Sequence, residues 1–171
     1  MDIINDIETN YLDKLNTLSI LAGINQRIHK IEIGVYNNRI QNLSLLIAMI
    51  TVLNYIFSCI TMAFSNCALI TMITSGILVI LIASLNTISW SDCVINNSNA
   101  YYQWTNLRTD IDSEIVKFKD NGNHYDNYYS NLIMNFNIRV LDISRLSLTV
   151  DYNTFEKCRI EEYKSRGINL N

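Results

Sequence analysis

The residues that most often carry chemistry are few and scattered in this chain of 171 residues. Its two histidines, His29 and His124, lie far apart in Asn-rich polar surroundings, which suits surface or helix-cap positions better than ligand roles. Asp110, Asp112 and Glu114 alternate. Residues two apart do not share a helix face, so they read as a solvated acidic face rather than a general acid–base pair. The cysteines Cys59, Cys67, Cys93 and Cys158 show no CxxC or similar metal-ligand spacing. Cys59 and Cys67 fall inside an apolar stretch, where a free thiol behaves as a small hydrophobe, and Cys93 just beyond it is a candidate for lipid attachment. There is no Gly-rich phosphate loop, HExxH helix or nucleophile elbow. The expectation is a non-enzymatic protein without cofactor or metal. The net charge of −3 supplies no basic field for nucleic acid.

Polar groups with a definite chemical demand lie instead in a neutral stretch. Between Arg39 and Asp92, 52 residues pass without one Asp, Glu, Lys, Arg or His. A membrane helix needs about 20 apolar residues, so this is the length of two, assigned to residues 43–64 and 67–88. Each would be about 33 Å long at the helical rise, enough for a hydrocarbon core of about 30 Å. Ser65-Asn66 then forms the tip of an antiparallel helical hairpin, since Asn tolerates the left-handed backbone of helix ends.

Ser44, Thr51, Asn54, Ser58, Thr61 and Ser65 recur mostly at steps of three and four, on or near one face of the first span. An unpaired amide in hydrocarbon costs about 2–7 kcal/mol, so Asn54 needs partners. Antiparallel pairing through the tip puts Ser75-Gly76 at its depth, and small residues there let helices approach closely. The stripe Thr51, Asn54, Ser58, Thr61, Ser75 and Gly76 reads either as a polar, close-packed helix seam or as a wet surface lined when several subunits associate. Two spans cannot enclose a pore, so conduction requires a homo-oligomer.

Basic residues orient the hairpin. Lys14, Arg27, Lys30 and Arg39 precede it, nine Lys and Arg follow it, and the tip has none. Cytoplasmic flanks carry the excess of Lys and Arg, so both termini are expected in the cytosol, with Trp90 as an interfacial anchor. Asp2, Asp6 and Glu8 stand near the start in place of a basic segment, so a cleavable signal peptide is not expected and the first span is expected to serve as an internal signal.

The flanks carry amphipathic helix stripes. Ile4, Ile7, Tyr11, Leu15 and Leu18 form one, Gly23 is a break, and Ile24, Ile28, Ile31 and Val35 form the next. After the hairpin come Trp104, Leu107, Ile111, Ile115 and Phe118, a turn at 120–123, then Tyr125, Tyr129, Leu132, Phe136, Val140 and Ile143. A last helix is expected from Asn153, with Glu156 reaching back in a capping box, to an end near Gly167. The fold class is therefore all-α: a two-span transmembrane hairpin (43–88) between N-terminal amphipathic helices (1–42) and a C-terminal helical hairpin with a terminal helix (89–171). The flanks would form a helical bundle or coiled coil on one side of the membrane, and Trp104 to Phe118 serve as a packing or oligomer seam.

The post-hairpin segment "NAYYQWTNLRTDIDSEI", with Tyr101, Tyr102, Leu107, Ile111 and Glu114, resembles the corresponding helix of the SLATT family, small two-span domains associated with bacterial nucleotide-signal defence systems. The likeness covers residues 25–120, and the helical N- and C-terminal extensions depart from it. It implies a membrane-disrupting effector, often an oligomeric pore, and brings no catalytic residues. A structural anchor in a virus particle with an internal membrane is the alternative, and a phage holin-like lysis or immunity protein the third reading. The 27 Ile and 23 Asn, with AT-rich codons, fit a low-GC bacterium, a phage or a large DNA virus. The expected home is accordingly a bacterial inner membrane or a viral internal membrane. Expected partners are the lipid bilayer, further copies of the chain and a protein docking on the flanks.

Overall fold

A computed structural model describes residues 2–61, 68–87, 89–121, 126–145 and 151–168. The expected tip at 65–66, Cys67 and His124 lie outside these residues. The described residues form five helices and no strand: α1 (Asp2–Thr61), α2 (Ala68–Thr87), α3 (Trp90–Asn121), α4 (Asp126–Ser144) and α5 (Tyr152–Ser165). The all-α class is as expected. One helix, α1, is long and apolar enough to cross a membrane; the apolar part of α2, Ala68–Ser84, is shorter. Two compact units divide the chain, the first being Met1–Glu32 with Asn96–Asn171 and the second Ile33–Ile95. The N- and C-terminal flanks thus fold together as one unit.

The first unit has a conventional core. Leu15, Leu18 and Ala22 of α1 pack with Ala100, Trp104, Leu107, Ile111 and Ile115 of α3 and with Phe136 and Ile143 of α4. The α3 positions recur at four- and three-residue steps, which keeps them on one helix stripe. Phe118 closes the far end against Tyr129 at 4.8 Å between ring centroids, near-perpendicular, a favoured aromatic arrangement. Trp104, Leu107 and Ile111 are wholly buried. The five residues expected as a packing or oligomer seam are therefore spent on the chain's own interior. The indole N–H of Trp104 meets no acceptor among the described residues.

Three sequence expectations are corrected here. Helix α1 runs through Gly23 without a break. A Cβ at Gly23 would overlap the Glu162 carboxylate, so glycine stands there to admit a side chain of α5 rather than to end the helix. His29 is buried rather than at the surface, because Asn97 of α3 supplies a polar partner at 2.8 Å from its Nδ1. The cap of α5 is Asp151, two residues before the expected Asn153. Its carboxylate accepts from the backbone N–H groups of Asn153 and Thr154 and from the Thr154 hydroxyl, and a negative cap is favoured at a helix N-terminus. These hydrogen bonds hold the Asp151 carboxyl below its usual range, the Thr154 hydroxyl contributing most. Glu156 turns to Arg159 at 2.8 Å instead of reaching back. The expected end holds: Gly167 takes φ +69°, and the N–H groups of Gly167 and Ile168 donate to the carbonyls of Lys164 and Tyr163, a Schellman closure.

Helix α5 rests on α1 through a small apolar cluster of Ile24, Ile28 and Cys158. Its second attachment is ionic. The Glu162 carboxylate is wholly buried. Arg27 Nε reaches it at 2.8 Å, Arg108 Nη2 at 2.9 Å and Arg166 Nε at 2.8 Å. Arg166 also donates to the Ser19 hydroxyl at 2.7 Å, and Ser19 donates to Asp112. Burial works against ionising Glu162, but hydrogen bonds from Arg166 and Arg27 and the charge of Arg108 more than offset it, so its carboxyl stays below its ordinary value of 4.5. A lowered carboxyl stabilises the fold above that ordinary value and ceases to as pH falls below it.

Glu162→Ala takes away the carboxylate that three guanidinium groups share, and breaking a buried ion pair costs about 3–5 kcal/mol. Amide exchange in α5 should accelerate accordingly while α4 keeps its protection, and Gly23→Ala should act in the same direction. Wild-type α5 should lose protection as pH drops below about 4.5, and Glu162→Gln should remove that acid step.

Candidate functional site

The second unit, Ile33–Ile95, contains the polar stripe. From Leu43 onward the half-buried positions on α1 are Leu43, Ile47, Ile50, Asn54 and Phe57, and on α2 Thr71, Thr74, Ser75, Leu78, Leu81 and Ser84. The α1 set keeps the 4-3-4-3 spacing of a coiled-coil seam, with Asn54 as its polar member. At this point the two helices exchange hydrogen bonds. Thr74 Oγ1 donates to Asn54 Oδ1 at 2.7 Å, and Asn54 Nδ2 donates to Ser75 Oγ at 2.9 Å. Ser75 Oγ also lies 3.2 Å from Asn54 Oδ1. Both hydroxyls stay within reach of carbonyls one turn back on α2, Thr74 with Ile70 at 3.0 Å and Ser75 with Thr71 at 2.7 Å. The amide is thus satisfied between α1 and α2, with Ser75 and Thr74 as its partners.

The rest of the expected stripe does not join it. Thr51 and Ser58 are exposed and return their hydroxyls to their own helix, at 2.7 Å to the Ile47 carbonyl and 2.9 Å to the Asn54 carbonyl. With Ser44, also exposed, they form a separate outward row at steps of seven residues. Gly76 was expected to bring the helices together, yet a Cβ built on it meets nothing within 4 Å. It sits on the outer side of α2, because Thr74 and Ser75 take the inner one. Helix α1 ends at Thr61, whose side chain lies outside the described residues. Trp90 opens α3 and is half-buried.

The apolar side chains around this seam face outward. Tyr55, Met72 and Ile80 are 71%, 77% and 66% exposed, and the most apolar window of α1 has no residue buried within the molecule. Cys59 is exposed, Cys93 half-buried and Cys158 buried; burial, then the Glu161 charge, pushes the Cys158 thiol up.

Other chemistry-bearing side chains are held in structural pairs. Asp110 meets Arg139 at 2.7 Å, Asp112 faces Arg108 and Ser19, and Glu114 meets Lys117 at 2.6 Å, so the three acids point to three different partners. Among the described residues no group of three or more His, Cys, Asp or Glu is placed to hold a metal. Two features escaped the sequence reading. Thr74 carried a signal in its adjacency to Ser75. The arginine setting of Glu162 carried only i,i+4 spacings, Gly23 with Arg27 and Glu162 with Arg166, which are common on helices.

Asn54→Leu should cost the α1–α2 pair only about 1 kcal/mol, the usual net worth of a side-chain hydrogen bond, because both hydroxyls retain carbonyl acceptors. It should instead loosen register, since a single polar seam residue specifies alignment. Spin labels on α1 and α2 should report a broader distance distribution in Asn54→Leu with nearly unchanged unfolding.

Comparison of the chain with known protein families, with curated proteins and with solved structures found no match.

Proposed function

We propose that this chain is a two-span integral membrane protein that acts without enzymatic chemistry as an oligomeric, SLATT-like membrane effector, perturbing or perforating the bilayer. The observation that carries the membrane part is the uncovered apolar surface of the second unit: no residue of the most apolar α1 window is buried. Water would charge about 25 cal/mol for each Å² of such surface, whereas hydrocarbon would not. Helix α2 is the proposed second span; its 20 helical residues, Ala68–Thr87, match the length a crossing needs. Both termini would lie in the cytosol, following the Lys and Arg distribution, in a bacterial inner membrane or the internal membrane of a virus. The oligomer is supported by the outward row Ser44, Thr51 and Ser58, where small hydroxylated residues permit close helix contact between copies.

A second reading has its own support. Asn54, the most polar group of the seam, is satisfied within one chain, so it has no demand left for water in a channel. Helix α4 also exposes Met134, Ile138 and Leu141 at steps of four and three, a stripe suited to a protein partner. Both features favour a structural membrane anchor that carries a docking unit, as in a virus particle. A phage holin-like lysis or immunity role remains third, because the first unit exceeds what that role needs.

The purified chain reconstituted into dye-loaded liposomes separates these readings. An effector should release dye, and the double variant Thr51→Leu, Ser58→Leu should reduce release severalfold at equal insertion. Sealed vesicles at high protein density would favour the anchor, and a chain that remains monomeric in buffer without detergent would refute membrane residence.

A further inference from the structure

We propose that a pocket between α1 and α3 of the first unit binds a phosphate group. The pocket, about 150 Å³, is lined by Gln26, Arg27, Lys30, Tyr101 and Arg108. Among the described residues its wall contains three cationic side chains and no carboxylate. The nearby acids are already matched: Glu162 and Glu161 face Arg27, Glu162 and Asp112 face Arg108, and Glu162 also takes Arg166. Arg27, Arg108 and Arg166 are balanced by Glu161, Glu162 and Asp112, which leaves the charge of Lys30 over. Lys30 is exposed and has no partner among the described residues.

Donors exceed acceptors in the same space. Each guanidinium has five N–H donors. Arg27 commits Nε to Glu162 at 2.8 Å and Nη2 to Ser165 at 3.1 Å. Arg108 commits Nη2 to Glu162 at 2.9 Å and Nη1 to the side-chain Oε1 of Gln26 at 3.2 Å. Both retain further N–H groups, and Lys30 retains three. The two arginines are preorganised, since a wholly buried carboxylate holds them and an arriving anion need not order them. The donors come from two helices and line the cavity from both. That geometry suits a tetrahedral oxyanion, which accepts in several directions, better than a planar carboxylate, which accepts in one plane. Free phosphate and the headgroup of an anionic lipid share this chemistry.

The site does not depend on what the second unit does in a bilayer. Lys30 lies outside the Glu162 cluster, so Lys30→Gln tests the pocket with the latch of α5 intact; Lys14→Gln, on the same helix but outside the pocket, controls for net charge. The full chain in neutral detergent is titrated calorimetrically with inorganic phosphate, with acetate and chloride at matched ionic strength as comparators. Saturable phosphate binding is expected, weakened about tenfold in Lys30→Gln, the scale of one charge-assisted hydrogen bond, and unchanged in Lys14→Gln. Absence of saturation, equal binding of acetate, or an unaffected Lys30→Gln whose amide exchange in α5 matches wild type would each overturn the proposal. Repetition in nanodiscs distinguishes the sources. Weaker phosphate binding in discs with phosphatidic acid than with equal phosphatidylserine identifies a lipid headgroup, and equal binding identifies free phosphate; both results uphold the site.

Discussion

Two helices packed side by side can each hide one stripe and no more. That geometric constraint governs the middle of this chain. Residues 40–91 contain no Asp, Glu, Lys, Arg or His, and the seam between α1 and α2 takes in only a minority of the side chains. Leu45, Val52, Leu69 and Val79 remain 58–68% exposed as a result. The first unit meets the same constraint differently: three helices close around Trp104, and α5 covers a further edge of α1. One unit supplies its own apolar interior; the other calls for an apolar exterior, which is the physical support for the membrane reading.

The two units also handle buried polarity in contrasting ways. In the second, Asn54 is met by hydroxyls that have backbone carbonyls in reserve, so no partner is stranded when one bond is lost. In the first, Glu162 is met by three full charges on α1, α3 and α5. Such a centre is intolerant of single changes, because each lost partner leaves a charge in a poor dielectric. The neutral arrangement sets alignment at low cost. The ionic one joins a mostly polar helix to its neighbours where apolar contact is limited to a few side chains.

Much of this architecture is legible in the sequence, because it depends on periodicity. The stripe from Trp104 to Phe118 reads directly as a buried helix face, and the neutral stretch reads as apolar helix. The end of α5 at Gly167 follows from its tolerance of positive φ. What escapes is set by distant residues. Gly23 has the local signature of a break, and only the position of Glu162, far along the chain, turns it into an opening for a carboxylate. His29 reads as polar surface until Asn97 is brought beside it. Thr51 and Ser58 share a stripe with Asn54 on a helical net, yet a few tens of degrees around the axis separate the seam from the outer surface. Periodicity fixes a face to about the width of one residue, and the pairing of polar atoms is decided within that width.

The solitary indole of Trp104 has a spectroscopic consequence. Trp104 is one of two tryptophans, enclosed in a mostly aliphatic setting with no hydrogen-bond acceptor at its nitrogen among the described residues. An excited indole in such a place has little surrounding polarity to relax it, so its emission lies toward the blue. Trp90 is half-buried and emits from a different environment. The natural fluorescence of the molecule therefore contains a native gauge of whether the helices around Trp104 stay closed, readable without an attached label.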